Sequence, residues 1–175
     1  MKILKIPFVL LITGIGINNA MAVDGEINFN GSVIDTACTM DVGTGNKMTV
    51  DLGEVAKSSF TGVGSETTAT EFNLSVKDCP AAVKSATVKF DGTSYNGDNT
   101  ALALDAPETG TAATGVGVQI KDSKDKVVSL FESSSSYTLA EGANSLPFYA
   151  SYVQKAATVV GGAANATAQF TLNYN

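Results

Sequence analysis

The sequence predicts an all-β sandwich, and three observations predict it. Short apolar–polar alternations of period two recur along the chain, clusters of Gly, Asn, Asp and Ser separate them, and helical periodicity is almost absent. In chain order, the first segment reads MKILKIPFVLLITGIGINNAMA. Lys2 and Lys5 make a positive start, Ile6 to Ile17 is apolar, and Ala20-Met21-Ala22 has the small-x-small form of a cleavage site. These features predict a secretory signal peptide over residues 1–22. The apolar run is short for a bilayer span, and Gly14 and Gly16 interrupt its end.

The first alternation follows at once. From Gly25 to Val33, the side chains of Ile27, Phe29 and Val33 share one face, with Val23, Gly25 and Gly31 in the same phase. Met48 to Leu52 is a second, shorter candidate strand. Phe72 to Val76 alternates cleanly and leads into Cys79-Pro80. Ala86 to Phe90 is closed by the turn signal Asp91-Gly92. Val116 to Ile120 precedes a charged turn, Lys121 to Asp125, and Val127 to Phe131 is expected to pair back across it. Leu146 to Val153 is the most aromatic candidate, and Pro147 near its start points to an edge strand or a strand beginning. In the final segment Ala166, Ala168, Phe170, Leu172 and Tyr174 make one apolar face against a polar one. Gly43 to Asn46, Ser133 to Ser136 and Val159 to Ala164 read as loops. The pattern amounts to a single immunoglobulin-like sandwich of about seven or eight strands, with no internal repeat.

Composition narrows the function. The chain has 175 residues, no His, no Trp and a net charge of −6. Every basic residue is a lysine, and the leader holds two of them, so the remainder is more acidic still. Such a chain lacks the cationic face that phosphate neutralisation needs, which argues against nucleic acid. Without His it lacks the usual general base, the Ser-His-Asp triad and the commonest metal ligand, so neither an enzyme nor a cofactor or metal site is expected. The two cysteines, Cys38 and Cys79, read as one disulfide in an exported chain. Two free thiols or half a metal site are the alternatives, with no CxxC to favour the latter. Gly43 to Thr49 lacks the spacing of a phosphate loop and reads as a turn. Asp122 and Asp125, flanked by lysines, read as a solvated turn rather than a catalytic pair. The sequons at Asn30, Asn73 and Asn165 are of a frequency expected by chance.

Three blocks together resemble the type 1 pilin family of chaperone–usher fimbriae. They are Gly25-x-Ile27-x-Phe29-x-Gly31-x-Val33-Ile34-Asp35-x-x-Cys38 after the leader, Phe72-x-Leu74-x-Val76-x-x-Cys79, and Gly162 to Asn175 with its penultimate Tyr174. The resemblance implies a sandwich that lacks its last strand. It implies a leader at 1–22, an N-terminal donor-strand arm at 23–34 and a pilin domain at 35–175. Val23, Gly25, Ile27, Phe29, Gly31 and Val33 would form the donor strand. Ala168, Phe170, Leu172 and Tyr174 would line the acceptor groove and the edge to which a chaperone strand adds, with Tyr174 and the terminal carboxylate helping to anchor the chaperone. Implied partners are neighbouring copies, other fimbrial subunits, a periplasmic chaperone and an outer-membrane usher, with export through the periplasm to the cell surface. A minor adaptor subunit, or a secreted single-domain adhesin or lectin-like protein, is the alternative. The single domain and the arm at the mature N-terminus favour a shaft subunit.

Overall fold

The structure, a computed structural model, describes residues 26–31 and 37–175. The expected leader and Val23, Gly25 and Val33 lie outside the described residues. Among those described, nine strands form two sheets: β1 Thr39–Met40, β2 Thr70–Cys79, β3 Ser85–Gly92, β4 Ser94–Tyr95, β5 Asp98–Leu102, β6 Val116–Asp122, β7 Tyr137–Thr138, β8 Gly142–Gln154 and β9 Ala168–Tyr174. The larger sheet runs β1-β2-β8-β6-β5-β4 and the smaller β7-β3-β9. Every pairing between these strands is antiparallel. Two short 3-10 turns, Thr44–Asn46 and Lys57–Ser59, sit in the long connection between β1 and β2. The first of them is the predicted turn.

The core lies between the sheets. Leu74 and Val76 of β2, Leu146 and Phe148 of β8, and Ala86, Val88 and Phe90 of β3 are all buried. Alternation explains this directly, since residues two apart on a strand share a face. Phe148 is fully buried at the centre. Its ring centroid lies 5.1 Å from Phe90 edge-on, 5.7 Å from Phe72 stacked and 5.3 Å from Tyr137. These aromatics join the two sheets in the arrangements that ring quadrupoles favour.

Three sequence expectations need correction. Met48 to Leu52 forms no strand among the described residues. Val50 and Leu52 pack on the core, and Asp51 Oδ1 accepts the Gly53 N–H at 2.8 Å, which turns the chain away. Val127 to Phe131 pairs only at its start, where Val127 bridges Lys121 and the Val128 N–H donates to the Ile120 carbonyl. It then crosses between the sheets, because Leu130 donates to Asn99 in the larger sheet and Phe131 donates to Phe90 in the smaller. Phe131 makes this crossing with φ at 68°. Finally, Pro147 lies inside β8, an interior strand flanked by β2 and β6. Its carbonyl accepts the Tyr137 hydroxyl at 2.7 Å. The N and C=O of a strand residue face the same side. Pro147 therefore directs its missing donor away from β2, past Asp122, where the β6 pairing ends opposite Phe148. The hairpin of β4 and β5, which turns at Asn96-Gly97, and the short β7 were not among the expected strands.

Candidate functional site

The feature of the fold that leaves something undone is β9. It pairs with β3 along one side, from Ala86 opposite Tyr174 to Gly92 opposite Ala168. Among the described residues no strand pairs with its other side. The strand alternates as predicted, with Gln169, Thr171 and Asn173 exposed and Ala168, Phe170, Leu172 and Tyr174 turned to the core. Of the cross-strand partners of that inner row, Ala86, Val88 and Phe90 are no more than 3% exposed, while Gly92 opposite Ala168 is half-buried. Yet Tyr174, Leu172 and Phe170 are only half-buried. Burial thus falls away over one strand step, and among the described residues nothing continues the sheet beyond β9. Met40, Val50, Leu52, Val55 and Phe60 are half-buried against the same core. An edge of this kind presents unpaired backbone groups beside apolar side chains, a template for another strand.

The end of β9 is tied down. The Asn175 carbonyl accepts the N–H groups of Lys84 and Ser85 at 3.2 and 3.0 Å, and the Asn175 N–H donates to Ser85 at 2.8 Å. The Tyr174 hydroxyl donates to the Cys38 carbonyl at 3.4 Å, and burial pushes its phenol up from the usual value. Cys38 itself is bonded to Cys79. The disulfide joins the start of β1 to the end of β2, which are neighbours in the sheet, and a shift of register after Val76, with Asp78 at φ 55°, precedes Cys79.

Ile27, Phe29 and Gly31 are the other predicted site residues the structure describes, all three exposed, Ile27 at 78% and Phe29 at 91%. Ile27 and Phe29 are both large apolar side chains left to solvent.

Asp122 is a structural residue that sequence reasoning misplaced. Asp125 is exposed as expected, but Asp122 is wholly buried. Its Oδ1 accepts the N–H groups of Lys124 and Lys126 at 2.9 and 3.2 Å, and its Oδ2 accepts the Ser135 N–H at 3.1 Å. Burial alone pushes its carboxyl up. The hydrogen bonds from Ser135, Lys124 and Lys126 outweigh that and hold it below the ordinary carboxylate value. The carboxylate closes the turn after β6 and pins the crossing loop at Ser135. The Asp-x-Lys-Asp-Lys spacing, with backbone N–H groups two and four residues on, was the available signal.

The immunoglobulin-like sandwich is shared with known proteins. A profile of the family described as Fimbrial protein matches residues 27–175. The type-1 fimbrial protein A chain of Escherichia coli is 39% identical over 154 residues, covering 86% of this chain and 83% of that protein. The crystal structure of a type I fimbria protein and antigen of Burkholderia pseudomallei is 38% identical, with a TM-score of 0.59 over 81% of this chain and 91% of that one. The P pilus rod subunit PapA shares the fold at a TM-score of 0.66 and 21% identity, over 80% of this chain and all of that one. The chain belongs to the fimbrial protein family. It is a structural subunit of a surface fimbria, in a family of structural subunits rather than enzymes.

Proposed function

We propose that this subunit builds the fimbrial shaft by donor-strand exchange, with residues 23–34 of one copy completing the sandwich of the next beside β9. The observation that carries the reading is the half-buried row Ala168, Phe170, Leu172 and Tyr174 on an edge unpaired among the described residues, the last three facing Phe90, Val88 and Ala86, which are buried. The exposed Ile27 and Phe29 are the complementary half, two apolar side chains two residues apart in the sequence. Burying them contributes about 1.5–3 kcal/mol each. Each ladder hydrogen bond along β9 adds roughly 0.5–1.5 kcal/mol net. The contact joins an arm of one subunit to a groove on another, so it is heterologous and does not close on itself, and repetition makes a filament.

Before assembly the same groove is covered by a strand from a periplasmic chaperone, and an outer-membrane usher is where the exchange takes place. Residues 1–22 direct export and are removed, which frees the arm at Val23. Residues 35–175 form the pilin domain. Strand addition of this kind is a known mode of recognition in which main-chain bonds supply affinity and alternate side chains supply fit.

The test is assembly by variants of the arm. Phe29→Asp places an unpaired charge in a neighbour's core, and a large residue at Gly25 fills a position where the groove is expected to be shallow. Both variants are expected to leave the chaperone-bound subunit folded, because the chaperone supplies its own strand, and to abolish filaments under electron microscopy. Normal filaments from Phe29→Asp would overturn the reading.

A further inference from the structure

We propose that Asn30–Gly31 is a spontaneous modification site of the unassembled subunit, at which Asn30 loses its side-chain amide to give aspartate and isoaspartate. The sequence holds two Asn–Gly junctions, Asn30–Gly31 and Asn96–Gly97, and the structure treats them oppositely. Residues 26–31 are all exposed and belong to no strand or turn. No backbone hydrogen bond forms within the segment itself. A Cβ placed on Gly31 would meet nothing within 4 Å. Asn96 and Gly97, by contrast, form the tight turn between β4 and β5, with φ at 47° and 84° and Tyr95 paired to Asp98 across it.

The reaction needs only water. The Gly31 backbone nitrogen attacks Asn30 Cγ, an N–Cγ bond forms, the amide C–N bond breaks, and the Gly31 proton leaves with the amide group as ammonia. The product is a five-membered succinimide. Water then opens one of the two ring C–N bonds. Opening at Cγ leaves aspartate, while opening at the backbone carbonyl carbon leaves isoaspartate, with the main chain routed through the former side chain. The attack requires the Asn torsions to swing the side-chain carbon onto the following nitrogen, with no Cβ there to obstruct it. Gly31 meets that requirement in an exposed, unpaired segment. The turn at Asn96 fixes the torsions elsewhere.

The consequence rests on the donor-strand reading. Position 30 is out of phase with Ile27 and Phe29, so an ordinary aspartate there preserves the apolar row. Isoaspartate adds a backbone carbon after Phe29 and sets Gly31 and Val33 off register, and a slip in a strand flips its faces. A paired strand holds its torsions extended and its amides in a ladder, so insertion into a neighbour closes the site. The junction thus marks subunits by the time they spend with the arm unpaired.

The experiment incubates the unassembled, chaperone-bound subunit and intact fimbriae side by side at mildly alkaline pH. Peptide mass mapping with an isoaspartate assay then follows Asn30 and Asn96 in each. In the unassembled subunit the Asn30 peptide is expected to gain one mass unit about tenfold faster than the Asn96 peptide, a gap set by local order. Asn30→Gln is expected to abolish that signal, and Asn30 in fimbriae is expected to react as slowly as Asn96. Equal rates at the two junctions in the unassembled subunit would overturn the proposal. Fast loss at Asn30 in both forms would uphold the modification and contradict the donor-strand reading, so the two failures are distinguishable.

Discussion

Asp122 shows how much one side chain can organise when it is buried and fully bonded. Its carboxylate satisfies three backbone donors, the N–H groups of Lys124, Lys126 and Ser135. Asp122→Ala leaves those donors unpaired, and unsatisfied buried groups each cost about 1–3 kcal/mol. Asp122→Asn keeps one acceptor oxygen and is expected to be milder, at about 2 kcal/mol. Urea unfolding of both variants checks the order. The pH dependence has a definite sign. Asp122 and Asp98 both sit below the ordinary carboxylate value, Asp98 at about 2, where hydrogen bonds from the Thr100 hydroxyl and N–H and from Lys155 favour its charge. A depressed folded pKa adds stability that is complete above the unfolded value and is lost as pH falls through the folded one. Stability is therefore expected to fall as pH drops from about 4 toward 2, and less steeply in Asp122→Asn. An equal slope in the variant would contradict the role given to Asp122.

At the scale of the element, period-two alternation reported which face of a segment is buried, and reported it well. Val50 and Leu52, Phe72 and Leu74, Val88 and Phe90, and Phe170 and Leu172 all point as the alternation requires. It did not report which segments find a partner in a ladder, because pairing is a property of two segments. Met48 to Leu52 alternates yet pairs with nothing among the described residues, and Pro147 sits in an interior strand because β6 ends beside it. The edge at β9 was legible only through family resemblance, since a missing neighbour leaves no mark in the local pattern. Two predictions belong here. The disulfide closes a separation of 41 residues, and by loop-closure entropy its loss costs about 4 kcal/mol. Native protein is expected to be two hydrogens lighter than reduced protein by mass spectrometry, and Cys38→Ser with Cys79→Ser to unfold at correspondingly lower urea; two alkylatable thiols in the unreduced protein would contradict this. Removing Leu172 to Asn175 deletes the ties to Ser85 and Lys84 and half of the inner row of β9. The truncated subunit is expected to lose chaperone capture and fail to accumulate in the periplasm. Co-purification with the chaperone at normal yield would count against β9 as the capturing edge.

For the whole molecule, the account makes the stability of the sandwich depend on a strand that its own compact domain does not supply. A domain with its core open along one edge is expected to be marginal, and one with the gap filled to be much more stable. The most direct measurement is the thermal unfolding midpoint of a chain in which the sequence of residues 23–34 is appended after Asn175 through a flexible linker, compared with an identical chain whose appended copies of Ile27 and Phe29 are serine. Filling the groove buries both side chains and adds a ladder along β9, so the first chain is expected to unfold roughly 10 °C or more above the second, given about 2–4 °C per kcal/mol for a chain of this size. Equal midpoints would contradict donor-strand completion of this subunit.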